Sequence, residues 1–206
     1  MRNVTVIGTG SMGSAIAGIG AIGGMAGQIV ARNPERARAL GERLHARVSP
    51  FGAPLTGEIV VLAVPVAAID SVVAEYGAAL NGKVLVDITN PVDETFDRTT
   101  APADSSVAAG LAAALPGVHV VKAFNTNFAG TLVATTVGPV RTTVLVAGDD
   151  ADAKTAVREF AEAGGLLTRD AGSLRRAREL EAMAFLQITL AKRQQLPWAG
   201  GFAVVA

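Results

Sequence analysis

A glycine-rich motif near the N-terminus is the part of this sequence whose residue types and spacing most clearly point to chemistry. The motif consists of Gly8, Thr9, Gly10, Ser11, Met12 and Gly13. Its spacing, GxGxxG, is the fingerprint of sites that bind a dinucleotide. In such a site the first glycine permits a tight turn, the second lets the backbone approach a pyrophosphate, and the third lets a helix pack closely on the sheet.

The residues around the motif decide how much weight it carries, because the chain has 23 glycines among 206 residues. The apolar run from Val4 to Ile7 comes directly before the motif and predicts a β-strand, and a helix-compatible stretch begins at Ser14. A dinucleotide fingerprint requires this order of strand, glycine turn and helix. We therefore expect phosphates to bind at the helix N-terminus, where free N–H groups and the positive end of the dipole favour an anion. A glycine-rich turn that binds no ligand is the alternative.

The end of the second predicted strand indicates which dinucleotide binds. NAD sites carry an acidic residue about 20 residues after the glycine turn, whereas NADP sites present cations to the 2′-phosphate. Here the strand at residues 28–31 is followed by Arg32, Asn33 and Arg36, and no acid stands at the strand end. Because a guanidinium group offers phosphate oxygens a planar fork of donors, these residues favour NADP(H) over NAD(H). In the alternative, Asn33 caps a helix that begins at Pro34, and the arginines are surface charge.

The composition narrows the functional classes that remain. Half of the residues are hydrophobic, which is enough for a substantial core, and we expect one domain over residues 1–206. Eighteen basic residues balance 18 acidic ones without a basic block, which argues against nucleic acid or an anionic membrane as a partner. The chain has no cysteine, so disulfides and thiolate ligands are excluded, and we expect no metal site. The apolar run 59–69 is broken by Pro65 and is too short to span a bilayer, so we expect a cytoplasmic protein.

Apolar runs of strand length alternate with helical patterns along the chain. We expect strands at residues 4–7, 28–31, 59–64, 83–88, 119–123, 142–147 and 166–169, with a weaker element near 47–48. This repetition predicts an α/β fold, a doubly wound parallel Rossmann sheet, with a short C-terminal helical extension whose helix covers about residues 174–196. Only 34 residues follow Gly172, too few for a separate substrate domain. A second substrate is therefore expected on the Rossmann domain itself, near the carboxyl ends of the strands.

Seven motifs in order, over nearly the whole chain, resemble those of a known family. Besides the glycine motif they are Ala31-Arg32-Asn33-Pro34, Leu62-Ala63-Val64-Pro65, Asp87-Ile88-Thr89-Asn90-Pro91, Val121-Lys122-Ala123-Phe124-Asn125-Thr126, Val146-Ala147-Gly148-Asp149-Asp150 and Asp170-Ala171-Gly172-Ser173-Leu174. Together they resemble the NADPH-dependent coenzyme F420 reductases, also called deazaflavin:NADP oxidoreductases. The chain is also similar to the cytosolic reductase domain of metalloreductases, which passes hydride from NADPH to a flavin.

The resemblance implies hydride transfer between NADPH and the deazaflavin coenzyme F420. A free flavin such as FMN or FAD, or a small organic molecule, is the alternative acceptor. A module that senses NADP(H) without turnover is an alternative from a different functional class.

The resemblance also assigns roles to matching positions. Residues 8–13 would hold the pyrophosphate, and Arg32, Asn33 and Arg36 would lie on the 2′-phosphate side. Two residues, Val64 and Pro65, would form the wall beside the adenosine-side ribose.

The nicotinamide and the acceptor ring would meet where two other motifs end their strands. The residues concerned are Asn90, Ala123, Phe124 and Asn125. The amide of Asn90 either orients the nicotinamide carboxamide or belongs to a turn before Pro91. The ring of Phe124 either walls the acceptor pocket or caps the core.

Hydride transfer between two rings needs little from side chains, so we expect no single catalytic residue. His45 and His119 are interpreted as structural residues. Asp149, Asp150 and Asp152 are interpreted as the N-terminal capping region of a helix rather than a cation site.

The predicted C-terminal helix carries more apolar residues than a single buried face needs. Leu180, Met183, Leu186, Ile188 and Leu190 do not share one narrow stripe. We therefore expect the helix to pack on its own domain and on a second subunit, which makes a homodimer. A well-buried helix in a monomer is the alternative.

Overall fold

The computed structural model describes residues 3–205, apart from the side chains of residues 26 and 36. The prediction for Arg36 therefore lies outside the described residues. Within the described part, the strands are β1 (Val4–Ile7), β2 (Ala26–Ala31), β3 (Arg47–Pro50), β4 (Ile59–Leu62), β5 (Val84–Asp87), β6 (His119–Lys122), β7 (Thr136–Val137), β8 (Val140–Arg141), β9 (Thr143–Gly148) and β10 (Leu167–Gly172). The α-helices are α1 (Ser11–Ile22), α2 (Pro34–Leu44), α3 (Ile69–Tyr76), α4 (Val107–Ala114), α5 (Ala129–Ala134), α6 (Ala151–Ala163) and α7 (Ala177–Lys192).

Eight of these strands form one sheet in the order β10-β9-β6-β5-β4-β1-β2-β3. The six strands β1 to β6 run parallel in the order 3-2-1-4-5-6, which is the arrangement of dinucleotide-binding folds. The predicted doubly wound Rossmann sheet is therefore confirmed. Its topological switch lies between β1 and β4, where ligands bind beyond the carboxyl ends of the strands in folds of this kind.

The two faces of the sheet bury separate apolar clusters. Successive residues of a strand point to opposite faces, so Val84 and Val86 lie in one cluster and Leu85 in the other. Helices α1 and α6 contribute to the first cluster, and α3 and α4 to the second. Because both faces are covered, β1, β4 and β5 are buried along their whole length.

Strand β9 differs from the parallel direction that the sequence predicts. It pairs antiparallel with β6, through Val121 with Gly148 and Lys122 with Ala147, and β10 runs parallel to β9. A parallel neighbour needs a crossover of roughly a dozen residues or more, whereas an antiparallel neighbour can begin where the previous strand ends. Residues 123–142, which include α5 and the β7–β8 hairpin, therefore connect β6 to β9 without crossing the sheet, and α5 packs against α1. Neither α5 nor the hairpin was expected from the apolar pattern.

The C-terminal helix is shorter than its predicted range. A 3₁₀ turn at Leu174–Arg176 leads into α7, which ends at Lys192. Residues 193–205 form no regular element, and this segment returns to pack near the start of α5. Among residues 3–205, no helix combines the length and the apolar character that are needed to cross a bilayer.

Candidate functional site

The three motif glycines serve different purposes in the turn between β1 and α1. Gly8 has a φ of +111°, and a Cβ there would lie 2.1 Å from the carbonyl oxygen of Ala63. A Cβ on Gly13 would lie 2.3 Å from the carbonyl oxygen of Gly8. Gly10 has no atom within 4 Å of the position that a Cβ would take. The fold itself therefore requires glycine at positions 8 and 13, whereas at position 10 a small residue leaves open space for a ligand.

The N-terminus of α1 borders that open space. Gly10 is the N-cap and supplies no capping side chain, and the first turn contains no acidic residue. The first N–H groups of an α-helix have no acceptor within the helix, so they are available to an anion. A cleft of about 310 Å³ begins here. Its lining includes Gly10, Ser11, Met12, Gly13, Ala63, Val64, Pro65, Val66, Ile88, Thr89 and Asn90.

The end of β2 carries one described basic side chain, Arg32, at the same edge of the sheet. Arg32 and Asn33 are exposed directly after β2, and α2 begins at Pro34 as predicted. The acidic residue of the first turn of α2, Glu35, is paired with Arg38 at 2.7 Å. The carboxylate nearest to Arg32 in sequence is thus held by another guanidinium group. This arrangement suits a phosphate better than a ribose hydroxyl.

Asn90 and Asn125 join the carboxyl ends of β5 and β6. Nδ2 of Asn90 donates to the carbonyl of Asn125 at 2.9 Å, and Nδ2 of Asn125 donates to Oδ1 of Asn90 at 2.9 Å. Nδ2 of Asn125 also donates to the carbonyl of Leu180 in α7, at 3.0 Å. The Asn90 amide keeps one N–H and one lone pair for a ligand, because each of its ends makes one of these bonds. Oδ1 of Asn125 is buried and has no hydrogen-bond partner among the described residues.

A second cavity, of about 600 Å³, adjoins the cleft and shares four lining residues with it. The shared residues are Ser11, Met12, Ile88 and Asn90. The rest of its lining comes from residues 125–130, from α7 and from the C-terminal segment: Asn125, Asn127, Phe128, Ala129, Gly130, Ile188, Trp198 and Ala199. The two cavities therefore lie side by side at the carboxyl ends of the strands, and we call the region of their shared residues the junction.

Two of the predicted residues near this junction lie in the core instead. Ala123 and Phe124 are fully buried, and neither lines the cleft or the larger cavity. The Phe124 ring packs edge-to-face on Phe160 of α6, with 6.1 Å between centroids. Of the two interpretations of Phe124, the position of its ring agrees with the core residue. The aromatic residues that do line the larger cavity are Phe128 and Trp198.

A buried ionic network lies directly behind the junction. Nζ of Lys122, at the end of β6, donates to Oδ2 of Asp87 at 2.8 Å, to Oε1 of Glu181 at 2.8 Å and to the carbonyl of Thr89 at 2.6 Å. Lys122 and Asp87 are fully buried, and Glu181 is 4% exposed. The other Asp87 oxygen accepts the N–H and the hydroxyl of Thr89, at 2.8 and 2.7 Å. The network thus ties β5, β6 and α7 to the segment that leads to Asn90.

Two carboxylates share a single ammonium group in this network. Burial raises the pKa of Glu181, an effect that the charge of Lys122 and its hydrogen bond oppose, and the nearby Asp87 carboxylate raises the pKa further. The Glu181 carboxylate also accepts the N–H of Val107 at the start of α4, at 3.1 Å. Glu181 therefore links α7 to α4 as well as to the sheet.

Sequence reasoning missed the cavity residues that follow Asn125. Asn127, Phe128 and Trp198 line the larger cavity, and Lys122, which appears in the resemblance motifs, was assigned no role. One signal was available for Trp198, since the only tryptophan of the chain stands after Pro197 in a segment without helical pattern. The interpretation of Asp150 as a helix cap is confirmed, because its Oδ1 accepts the N–H of Ala153 at 2.7 Å.

Comparison with known proteins agrees with this geometry. The sequence profile of the family described as "NADP oxidoreductase coenzyme F420-dependent" matches residues 3–91. The F420-dependent NADP reductase of Methanothermobacter marburgensis is 33% identical over 150 residues, which cover 69% of this chain and 66% of that protein. The metalloreductase STEAP3 of Rattus norvegicus is 41% identical over 107 residues, which cover 50% of this chain and 20% of that protein. The chain thus spans less than two thirds of either relative.

A solved structure extends the similarity to the whole chain. It comes from Arthrobacter sp. FB24 and is described as a candidate F420-dependent NADP reductase. It is 26% identical, with a TM-score of 0.88 and coverage of 100% of both chains. Because this match covers all of both chains, it includes the second half of the fold, which the sequence profile does not reach. The chain is thus similar, in its first 91 residues and in its overall fold, to the coenzyme F420-dependent NADP oxidoreductases.

Proposed function

We propose that this protein transfers hydride between NADPH and coenzyme F420. The observation that carries the proposal is the set of four lining residues that the 310 Å³ cleft at the glycine turn shares with the 600 Å³ cavity beside it. A hydride donor and a hydride acceptor must lie in contact, and Asn90 and Met12 border both of these spaces. The family and the archaeal relative support F420 as the acceptor.

Different residues in and beside the cleft bind different parts of NADP(H). The first N–H groups of α1 bind the pyrophosphate, above the open space at Gly10. Arg32, Asn33 and Arg36 serve the 2′-phosphate. Val64 and Pro65 lie against the adenosine-side ribose, and Asn90, positioned by Asn125, orients the nicotinamide end.

Little else is required of the side chains during transfer. When bound, NADPH supplies the hydride from its nicotinamide ring. The protein aligns the two ligands and keeps water from the space between them, and no general acid is needed. This agrees with a junction lined by amides and apolar side chains.

A different acceptor would use the same geometry. The similarity to a metalloreductase favours a free flavin, or another small organic acceptor, as the second candidate. A sensor that binds NADP(H) without turnover would leave the larger cavity without a redox ligand.

Absorbance-followed oxidation of NADPH tests the proposal. F420, FMN, FAD and riboflavin are offered in turn, and each reaction is repeated with NADH. Fast reduction of F420 with NADPH, and slow reduction with NADH, is the expected result. Turnover with flavins alone would shift the assignment to the second candidate. Tight NADPH binding without turnover would indicate the sensor.

We also propose that the protein is a cytoplasmic homodimer. The dimer is supported by Leu186 of α7, whose side chain is 53% exposed although the opposite face of the helix is buried.

A further inference from the structure

We propose that Trp198 and Phe128 form the wall on which the acceptor ring stacks, and that the C-terminal segment 193–205 is therefore part of the acceptor site. The inference rests on the proposed function, because a ring held in this cavity would lie next to the nicotinamide end of the cleft. It names the chemical class of the occupant as a flat heteroaromatic ring.

The aromatic pair is the first observation behind the proposal. The two rings lie 4.8 Å apart between centroids with an interplanar angle of 51°. Phe128 is buried, whereas Trp198 is 51% exposed and lines the cavity. Half of a large aromatic surface is thus available to a partner, and stacked aromatic pairs gain free energy beyond the burial of their area.

The segment that carries Trp198 is held firmly in place, which is the second observation. Gln187 of α7 is 1% exposed; its Nε2 donates to the carbonyl of Thr126 at 3.1 Å, and its Oε1 accepts the N–H of Phe202 at 2.8 Å. On the other side, a Cβ on Gly130 would lie 3.0 Å from both Cα of Ala199 and the carbonyl oxygen of Trp198. The buried amide and the close backbone approach hold the backbone that carries Trp198, and the ring contact with Phe128 places its side chain against the cavity.

The remaining lining specifies the kind of ligand. None of the described lining residues is charged, and the walls away from the glycine turn are Phe128, Ala129, Ile188, Trp198 and Ala199. Among the amides of the lining, Asn90 also borders the cleft, and Asn125 is hydrogen-bonded to it, so this pair marks the polar edge of the cavity. Apolar faces with polar groups along one edge suit a planar ring that carries heteroatoms at its rim. They do not suit a carboxylate or a free sugar, which would need partners on several sides.

Equilibrium binding in the presence of saturating NADP⁺ tests the wall without turnover. The dissociation constants of F420 and riboflavin are measured by calorimetry for the natural chain, Trp198→Phe, Trp198→Ala and Phe202→Ala. Phe202 lies on the same segment, is 39% exposed and does not line the cavity, so its variant is the matched control. We expect Trp198→Ala to weaken the ring ligand about tenfold or more, as removal of a stacking aromatic does elsewhere. We expect Trp198→Phe to weaken binding of the ring ligands much less, and Phe202→Ala to leave their dissociation constants unchanged.

A second measurement uses the fact that Trp198 is the only tryptophan. The Stern–Volmer constant for acrylamide quenching of its fluorescence should fall when riboflavin saturates the protein and should stay unchanged with NADP⁺ alone. The affinity for NADP⁺ should be equal in all four proteins. The stacking proposal would be wrong if the natural chain and Trp198→Ala bound F420 and riboflavin with equal affinity and riboflavin left the Stern–Volmer constant unchanged. The proposed function would not be affected by that result. A natural chain that binds neither F420 nor riboflavin would overturn the proposed function and this inference together.

Discussion

Gly10 borders open space, whereas Gly8 and Gly13 of the same motif are crowded by neighbouring backbone atoms. Gly13 approaches the carbonyl of Gly8 so closely that a Cβ would overlap it, while the space beside Gly10 is open. We expect Gly13→Ala to lower the free energy of unfolding by about 1–3 kcal/mol, the usual effect of overpacking. We expect Gly10→Ala to change stability by less than about 0.5 kcal/mol. The methyl group of Gly10→Ala would enter the space proposed for the pyrophosphate, so we expect this variant to bind NADPH about tenfold more weakly, which corresponds to about 1.4 kcal/mol.

Urea unfolding and calorimetric titration with NADPH check the two variants side by side. A Gly10→Ala protein that binds NADPH as the natural chain does would mean that the cofactor does not enter this space.

We propose that Arg32, directly after β2, sets the preference for the phosphorylated cofactor. Arg32→Glu should weaken NADPH far more than NADH, because the new carboxylate repels the 2′-phosphate and can accept a hydrogen bond from the ribose hydroxyl of NADH. The readout is the ratio of the two dissociation constants. Arg43→Glu, with the same charge change at the exposed last turn of α2, is the control and should leave the ratio nearly unchanged. Equal losses for both cofactors in Arg32→Glu would contradict the 2′-phosphate assignment.

At the scale of elements, the Lys122 network is what connects α7 to the sheet. Replacing Lys122 by Met leaves Asp87 and Glu181 buried without their shared cation. Removing one partner of a buried ion pair typically destabilises a protein by about 3–5 kcal/mol. The control is Lys154→Met, which breaks a pair with Asp170 of the same 2.8 Å length. Asp170 is 46% exposed in that pair, so the expected loss is below about 1 kcal/mol.

Chemical unfolding monitored by circular dichroism compares these two variants with the natural chain. If both variants lost a similar free energy of unfolding, the buried network would contribute no more to stability than a surface ion pair.

The raised pKa of Glu181 makes the stability of the α7 attachment depend on pH. An acid whose pKa is raised by folding favours the folded state fully below its ordinary pKa of 4.5, and that contribution is lost as the pH rises through the raised value. Glu181→Gln does not titrate at this position. The free energy of unfolding of the natural chain minus that of the variant should therefore decrease as the pH rises above about 4.5. Unfolding curves at a series of pH values measure this slope, and a difference that grows with pH would contradict it.

The elements that the sequence predicts are those whose pattern is local. The glycine turn, the buried strands and α7 follow from periodicity and spacing alone. The direction of β9 does not follow from them, because an apolar run does not indicate whether a strand pairs parallel or antiparallel with its neighbour. Lys122 ends an apolar strand pattern, and its role depends on Asp87 and Glu181, which lie 35 and 59 residues away in the chain. The larger cavity was missed for the same reason, since Trp198 meets Phe128 only after the chain has folded.

At the scale of the whole molecule, the exposed side of α7 is where we expect a second copy to pack. Leu186 is 53% exposed, and Leu186→Glu should shift the protein from dimer to monomer in sedimentation velocity at micromolar concentration. Ile22→Glu is the control, because it removes an exposed apolar side chain at the last residue of α1 and should leave the dimer intact. A natural chain that sediments as a monomer would favour the buried-helix alternative.

The lining of the larger cavity is divided between two halves of the chain. The glycine turn, Ile88 and Asn90 lie within residues 3–91, which match the family profile, whereas Asn125, Phe128, Ile188 and Trp198 come from the second half. Substitutions at Phe128, Ile188 or Trp198 can reshape the larger cavity without changing a residue that lines the cleft. Chimaeras joined between β5 and β6 would therefore exchange eight of the twelve residues that line the larger cavity, including both of its aromatic residues.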